Sequence, residues 1–156
     1  MSADTYRRHR FDRRRWRDAV VKITARYTFD AAHRLYDSAL GSEENDRLYG
    51  PCSRIHGHTY RLEVSLRGDS LVHGMLIDFG RVDAVVNERI IDRLDHRVIN
   101  EVAELTGNTT TAEDIAQWIW SELDSAFTED DVTLYEVTLY EGDRFSATVS
   151  RDDFRD

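Results

Sequence analysis

Apolar and polar residues alternate through Val21, Ile23, Ala25, Tyr27 and Phe29 in the segment VVKITARYTFDAAH. A period of two marks a strand with one buried face. The same period runs through Tyr60, Leu62, Val64 and Leu66 of HTYRLEVSLRG, which predicts a second strand. Between them residues 34–55 are polar, with GSEEND near the centre. This stretch reads as a long loop joining two paired strands, and loops of that length in a compact domain usually carry function. Farther along, the period changes. Val82, Val85, Val86, Ile90, Ile91 and Leu94 recur at helical spacing in RVDAVVNERIIDRLDH. Ile115, Trp118, Ile119, Leu123 and Phe127 share one face of TAEDIAQWIWSELDSAF. Such stripes mark amphipathic helices. Thr110 or Thr111 can cap the second, with Glu113 or Asp114 near its positive end. Finally VTLYEVTLYE and RFSATVS alternate again around Gly142-Asp143 and read as a hairpin.

The order strand, strand, helix, helix, strand, strand predicts an α+β domain: a four-stranded antiparallel sheet with two helices on one face. Such a sheet leaves two open edges, and continuing the sheet between subunits would close them. The chain has 156 residues, enough for one domain. Residues 20–156 form that domain and residues 1–19 an extension. Within the extension, residues 7–17 read RRHRFDRRRWR, a basic run in a chain of net charge −9. The run reads as a solvated tail, or as an arm that docks phosphate or RNA. The acidic balance of the whole argues against nucleic acid as the main partner. No apolar run reaches the roughly 18 residues of a membrane span, and no secretory leader is evident, so a cytoplasmic protein is expected.

Three histidines change the picture. His56-Gly57-His58 opens the second strand, and residues i and i+2 of a strand point to one face. The glycine between them permits close approach to the backbone. His33 ends the neighbouring strand and can add a third nitrogen. Three histidines leave one tetrahedral position open, the arrangement of catalytic zinc. A His-x-His pair alone also fits two hydrogen-bonded surface histidines. Cys52, the single cysteine, lies four residues before the pair. It is either a fourth ligand that closes the site or a thiolate beside the metal that moves protons. Asp95-His96 follows the first helix; it is either a proton relay or a histidine favoured by the helix C-terminal dipole. Glu141 ends the third strand, where its carboxylate is solvated or accepts two parallel N–H bonds from a guanidine-like edge.

FDAAH, CSRIHGHTY, GMLIDFG, LDHRVIN, TTAED and VTLYE occur in this order between Phe29 and Glu141. Together they resemble the 6-pyruvoyltetrahydropterin synthase and 6-carboxytetrahydropterin synthase family. The resemblance implies the tunnelling fold, in which oligomerisation joins the sheets into a barrel, as trimers paired into a homohexamer. It implies Zn2+ on His33, His56 and His58, a catalytic Cys52, and a catalytic pair Asp95 and His96. It further implies Glu141 as the pterin anchor and Glu113 as a second substrate contact. Thr110 and Asp114 depart from the family's usual Pro-Thr-x-Glu-Asn helix start.

The resemblance implies a lyase acting on 7,8-dihydroneopterin triphosphate. Three residues between Cys52 and His56 resemble the 6-carboxytetrahydropterin synthase branch, which releases triphosphate and acetaldehyde on the route to queuosine or archaeosine. The alternative is the pyruvoyl product, formed without side-chain cleavage. Two readings of other classes stand beside these: a zinc-stabilised oligomeric binding module with Cys52 as fourth ligand, and a metal-dependent phosphoesterase.

Overall fold

The computed structural model describes residues 20–107 and 109–154. The basic run at 7–17 lies outside the described residues. Strand β1 (Val21–His33) and strand β2 (His56–Gly68) pair antiparallel along their whole length, from Val21 opposite Gly68 to His33 opposite His56. Strand β3 (Thr133–Glu141) pairs with β2, and β4 (Phe145–Ser150) with β3, giving the order β1-β2-β3-β4. Every connection is between neighbours, and all are antiparallel.

The alternation of β3 slips between Leu134 and Val137, both of which are buried. A bulge explains the slip. Ser65 pairs with Glu136 and Leu66 with Leu134, so Tyr135 is the extra residue. One inserted residue returns the apolar set to the inner face. Without it, Val137, Leu139 and Glu141 would point to the opposite side.

Helix α1 (Ser42–Tyr49) and a 3-10 turn (Gly50–Ser53) occupy the β1–β2 connection, where the sequence pattern predicts only a loop. Polar composition hid the helix, for it buries only Asn45 and has no apolar stripe. The Asn45 side chain does the fastening instead. Its amide donates to the carbonyls of Asp37, Leu40 and Gly41, and its oxygen accepts the Asp37 N–H.

Helix α2 (Phe79–Val86) is capped by Asp78, whose carboxylate accepts the Gly80 N–H at 2.7 Å. It runs through a π-helical turn (Asn87–Ile91) into α3 (Asp92–Leu94) as one rod. Helix α4 (Ala112–Leu123) is capped by Thr111, which accepts the Asp114 N–H at 3.2 Å. The two helical rods lie on one face of the sheet, as expected. Val82, Ile90, Ile115 and Ile119 meet Leu62, Val64, Val137 and Leu139 in a single core. The opposite face is polar and carries cross-strand pairs: Thr24 with Ser65, Arg26 with Glu63, and Thr138 with Thr148.

β1 and β4 are the sheet's edges. At its His33 end β1 is covered by the chain after α3. The His96 N–H donates to Asp30 O at 2.7 Å, and the Ala32 N–H to Arg97 O at 2.9 Å. No helix among the described residues is long and apolar enough to cross a membrane.

Leu62 is fully buried on the central strand pair. Leu62→Ala is expected to lower unfolding free energy by about 2–5 kcal/mol in urea titration. A loss below about 1 kcal/mol would contradict this account of the core.

Candidate metal centre

The β1–β2 register builds the site. His33 and His56 face each other across the strand pair, and His58 follows two residues on, opposite Ala31. All three continue the inward-facing rows, Phe29-Ala31-His33 on β1 and His56-His58-Tyr60 on β2. Ring centroids lie 4.6 Å apart for His33 and His56, 5.2 Å for His33 and His58, and 4.9 Å for His56 and His58. One ring nitrogen from each falls within 4.8 Å of the others, and together they could hold a metal ion.

Hydrogen bonds fix which nitrogens face inward. His33 Nδ1–H donates to Thr110 O at 2.8 Å, and His56 Nδ1–H to Arg54 O at 2.8 Å. The proton on Nδ1 leaves the Nε2 lone pair free to ligate. Nε2 of His33 and of His58 is buried and has no hydrogen-bond partner among the described residues. An unpaired buried polar atom costs about 1–3 kcal/mol. Burial, the largest influence, pushes the His33 pKa down, and nearby His56 and His58 add to this; Thr110 O and Glu141 oppose it. A neutral imidazole results, the form that binds metal.

Glu141 completes the arrangement from β3, where it pairs with Tyr60. Its Oε1 lies 3.3 Å from His58 Nε2 and its Oε2 3.9 Å from His33 Nε2. At His33, whose proton sits on Nδ1, the carboxylate oxygen facing the Nε2 lone pair sets acceptor against acceptor. A cation between them turns that repulsion into attraction. The donor set therefore fits a divalent metal: three clustered imidazoles, His33 among them held neutral, beside a carboxylate. Sequence reasoning cast Glu141 only as a substrate anchor. Its approach to the histidines depends on the β3 bulge, which a strand-by-strand reading does not reveal.

Tyr60 was read only as a strand residue. Its ring stacks on Phe29 at 5.1 Å and stands edge-on to His33 and His58. Its buried hydroxyl has no partner among the described residues, and burial followed by the Glu141 charge pushes its pKa up.

Cys52 sits half-buried in the 3-10 turn before β2. Its carbonyl accepts the Leu35 N–H at 2.8 Å. The next residue pins the turn, with Ser53 Oγ donating to Asp46 and Gly50 O. The thiol is not a member of the histidine cluster.

Asp95 Oδ2 lies 2.9 Å from His96 Nδ1, within hydrogen-bond distance. Asp95 Oδ1 accepts the Asp30 N–H at 3.0 Å, and that bond, more than His96, holds the Asp95 carboxyl below its ordinary range. Asp30 in turn accepts the Thr59 hydroxyl at 2.6 Å. His96 shares an open cleft of about 530 Å³ with His58, Asp30 and Thr59. No hydrogen bond joins the pair to Cys52. Glu113 is exposed on the first turn of α4 and bonds to none of these groups, whereas its neighbour Asp114 receives the Thr109 hydroxyl.

The profile for 6-pyruvoyl tetrahydropterin synthase matches residues 22–152. The chain belongs to this family. It is 38% identical over 124 residues to a 6-pyruvoyl tetrahydrobiopterin synthase of Dictyostelium discoideum, covering 78% of this chain and 90% of that one. It is 33% identical over 126 residues to a 6-carboxy-5,6,7,8-tetrahydropterin synthase of Haemophilus influenzae, covering 67% and 82%. The solved structure of the Caenorhabditis elegans 6-pyruvoyl tetrahydropterin synthase superposes with a TM-score of 0.78 at 29% identity, covering 85% of this chain and 96% of that one.

His33 makes stability depend on pH in the metal-free protein. Above about pH 6.5 the residue is neutral folded and unfolded. Below that, the unfolded chain takes up a proton that the folded chain refuses, so stability falls with pH. The metal-free protein is expected to melt at a lower temperature at pH 5.5 than at pH 7.5, and His33→Gln to show a shallower dependence. Equal slopes for the two proteins would contradict the assignment.

Proposed function

We propose that this chain is a zinc-dependent lyase converting 7,8-dihydroneopterin triphosphate to 6-carboxy-5,6,7,8-tetrahydropterin, with loss of triphosphate and acetaldehyde. The product would feed 7-deazaguanine nucleoside synthesis (queuosine or archaeosine) in the cytoplasm. The observation that carries the reading is the trio of inward-facing imidazoles, two with orphaned buried nitrogens, on the sheet of a pterin-synthase family member.

His33, His56 and His58 would hold the zinc ion. When bound, zinc supplies Lewis acidity toward the side-chain hydroxyls of the substrate. The Glu141 carboxylate accepts two N–H bonds from the amino-pyrimidine edge of the pterin. Glu113, exposed on the first turn of α4, would be a second contact. The Cys52 thiolate takes the carbon-bound proton next to the ring. Asp95, held ionised, keeps the His96 proton on Nδ1, which frees Nε2 to relay a proton. The edge of β4, and that of β1 away from its covered His33 end, support assembly of sheets into a barrel, as a homohexamer of paired trimers.

Three residues separate Cys52 from His56, and the 3-10 turn leads into β2 without an insert. That spacing supports the carboxy product, as does the Haemophilus relative. A second reading, the pyruvoyl product, is favoured by the higher identity to the Dictyostelium enzyme.

Zinc-supplemented turnover of 7,8-dihydroneopterin triphosphate with mass analysis of products separates these readings. The parent is expected to yield the carboxypterin and acetaldehyde. Cys52→Ala is expected to lose about 10²–10⁴-fold in rate while keeping its zinc. A pyruvoyl product would establish the second reading. Tightly bound zinc without turnover of any pterin would point to a binding module, and loss of zinc in Cys52→Ala would make Cys52 a ligand.

A further inference from the structure

His33 is the most enclosed of the three histidines, 1% exposed, and its orientation depends on residues far away in sequence. The acceptor for its Nδ1–H is the carbonyl of Thr110, which is itself fully buried. Thr110 holds a left-handed backbone, φ 55°. A β-branched residue adopts that conformation only where its surroundings impose it. The imposing contacts are on the Thr110 hydroxyl. It receives an N–H from Asn100 Nδ2 at 3.0 Å, and its own proton is placed for Arg34 O at 3.0 Å or Thr109 O at 2.8 Å.

Asn100 closes the ring of contacts. Its Oδ1 accepts the Arg34 N–H at 2.9 Å, and its Nδ2 also donates to Arg34 O at 3.0 Å. One amide therefore grips both peptide groups of the residue after His33 and the hydroxyl of the residue behind it. His56 leans instead on the nearby carbonyl of Arg54, two positions back, between the 3-10 turn and the start of β2.

We infer that Asn100 and Thr110 form a clamp that fixes the tautomer and ring orientation of His33, making both of them positioning residues for the metal. This rests on the reading of His33, His56 and His58 as metal ligands. The clamp stores its strain at Thr110, on the outer side of the ring from the metal. It holds the proton on Nδ1, so the Nε2 lone pair stays aimed at the centre. Partners of this kind set metal affinity as well as geometry.

Thr110→Gly tests the clamp cleanly, because glycine accepts φ 55° without strain yet lacks the hydroxyl. Zinc affinity is read by competition with a chromophoric chelator, and metal-free folding by thermal melting. Thr110→Gly and Asn100→Ala are expected to bind zinc about 10–100-fold more weakly than the parent. Metal-free Thr110→Gly is expected to melt cooperatively above the temperature of the binding assay, so its weaker binding is read on folded protein. Thr110→Ser retains the hydroxyl and is expected to bind as the parent does. Thr110→Gly and Asn100→Ala binding within about twofold of a zinc-binding parent would overturn the clamp alone. A parent that binds no zinc would overturn the three-histidine reading, and the clamp with it.

Discussion

The antiparallel register of β1 on β2 is the constraint on which the site depends. It sets His33 opposite His56 and leaves His58 one pleat farther on, against Ala31. A slip of one residue would turn the β1 row to the other face and carry His33 away from its partners. The core enforces the register. Phe29 and Tyr60 stack between the histidines and the aliphatic layer, while Leu62, Val64 and Leu66 are buried without remainder under the helices. The histidine cluster is thus the end of the hydrophobic core, where the inward-facing row changes from apolar to imidazole.

That placement explains the electrostatics. The histidines inherit the core's low polarity, which keeps His33 neutral and leaves Nε2 atoms without protein partners. Glu141 arrives on the same inner face because the bulge at Tyr135 restores the phase of β3. Its charge raises the cost of an empty centre and lowers that of a cation. Asp95 and His96 are organised separately, by the chain that covers the edge of β1, and their anchor is the backbone of Asp30. Cys52 hangs on a third support, the turn pinned by Ser53 to α1. Three independent devices surround one sheet end.

Much of this was legible in the residues. Period two in Val21 to Phe29 and in Tyr60 to Leu66, and helical spacing from Val82 to Leu94, depend on local burial and gave the elements. The pair His56 and His58 announced itself because i and i+2 share a face. The remainder depends on contacts between distant residues. The amide of Asn100 meets Arg34, and Thr110 meets His33, across 66 and 77 positions respectively. Nothing local in LDHRVIN or NTTTAED signals those meetings. Helix α1 was hidden for another reason: it is held by Asn45 through hydrogen bonds and displays no apolar stripe. VTLYEVTLYE reads as plain alternation, and only pairing with β2 shows that its phase slips at a bulge between Leu134 and Val137.

The central claim is that three imidazoles, without the thiol, hold the metal. Crystallography of the zinc-loaded protein with anomalous scattering at the zinc edge tests it most directly. The account predicts one peak bonded to Nε2 of His33, His56 and His58 at about 2.0–2.1 Å, with no sulfur in the coordination sphere. A peak bonded to Cys52 Sγ at about 2.3 Å, or no peak between the three histidines, would contradict it.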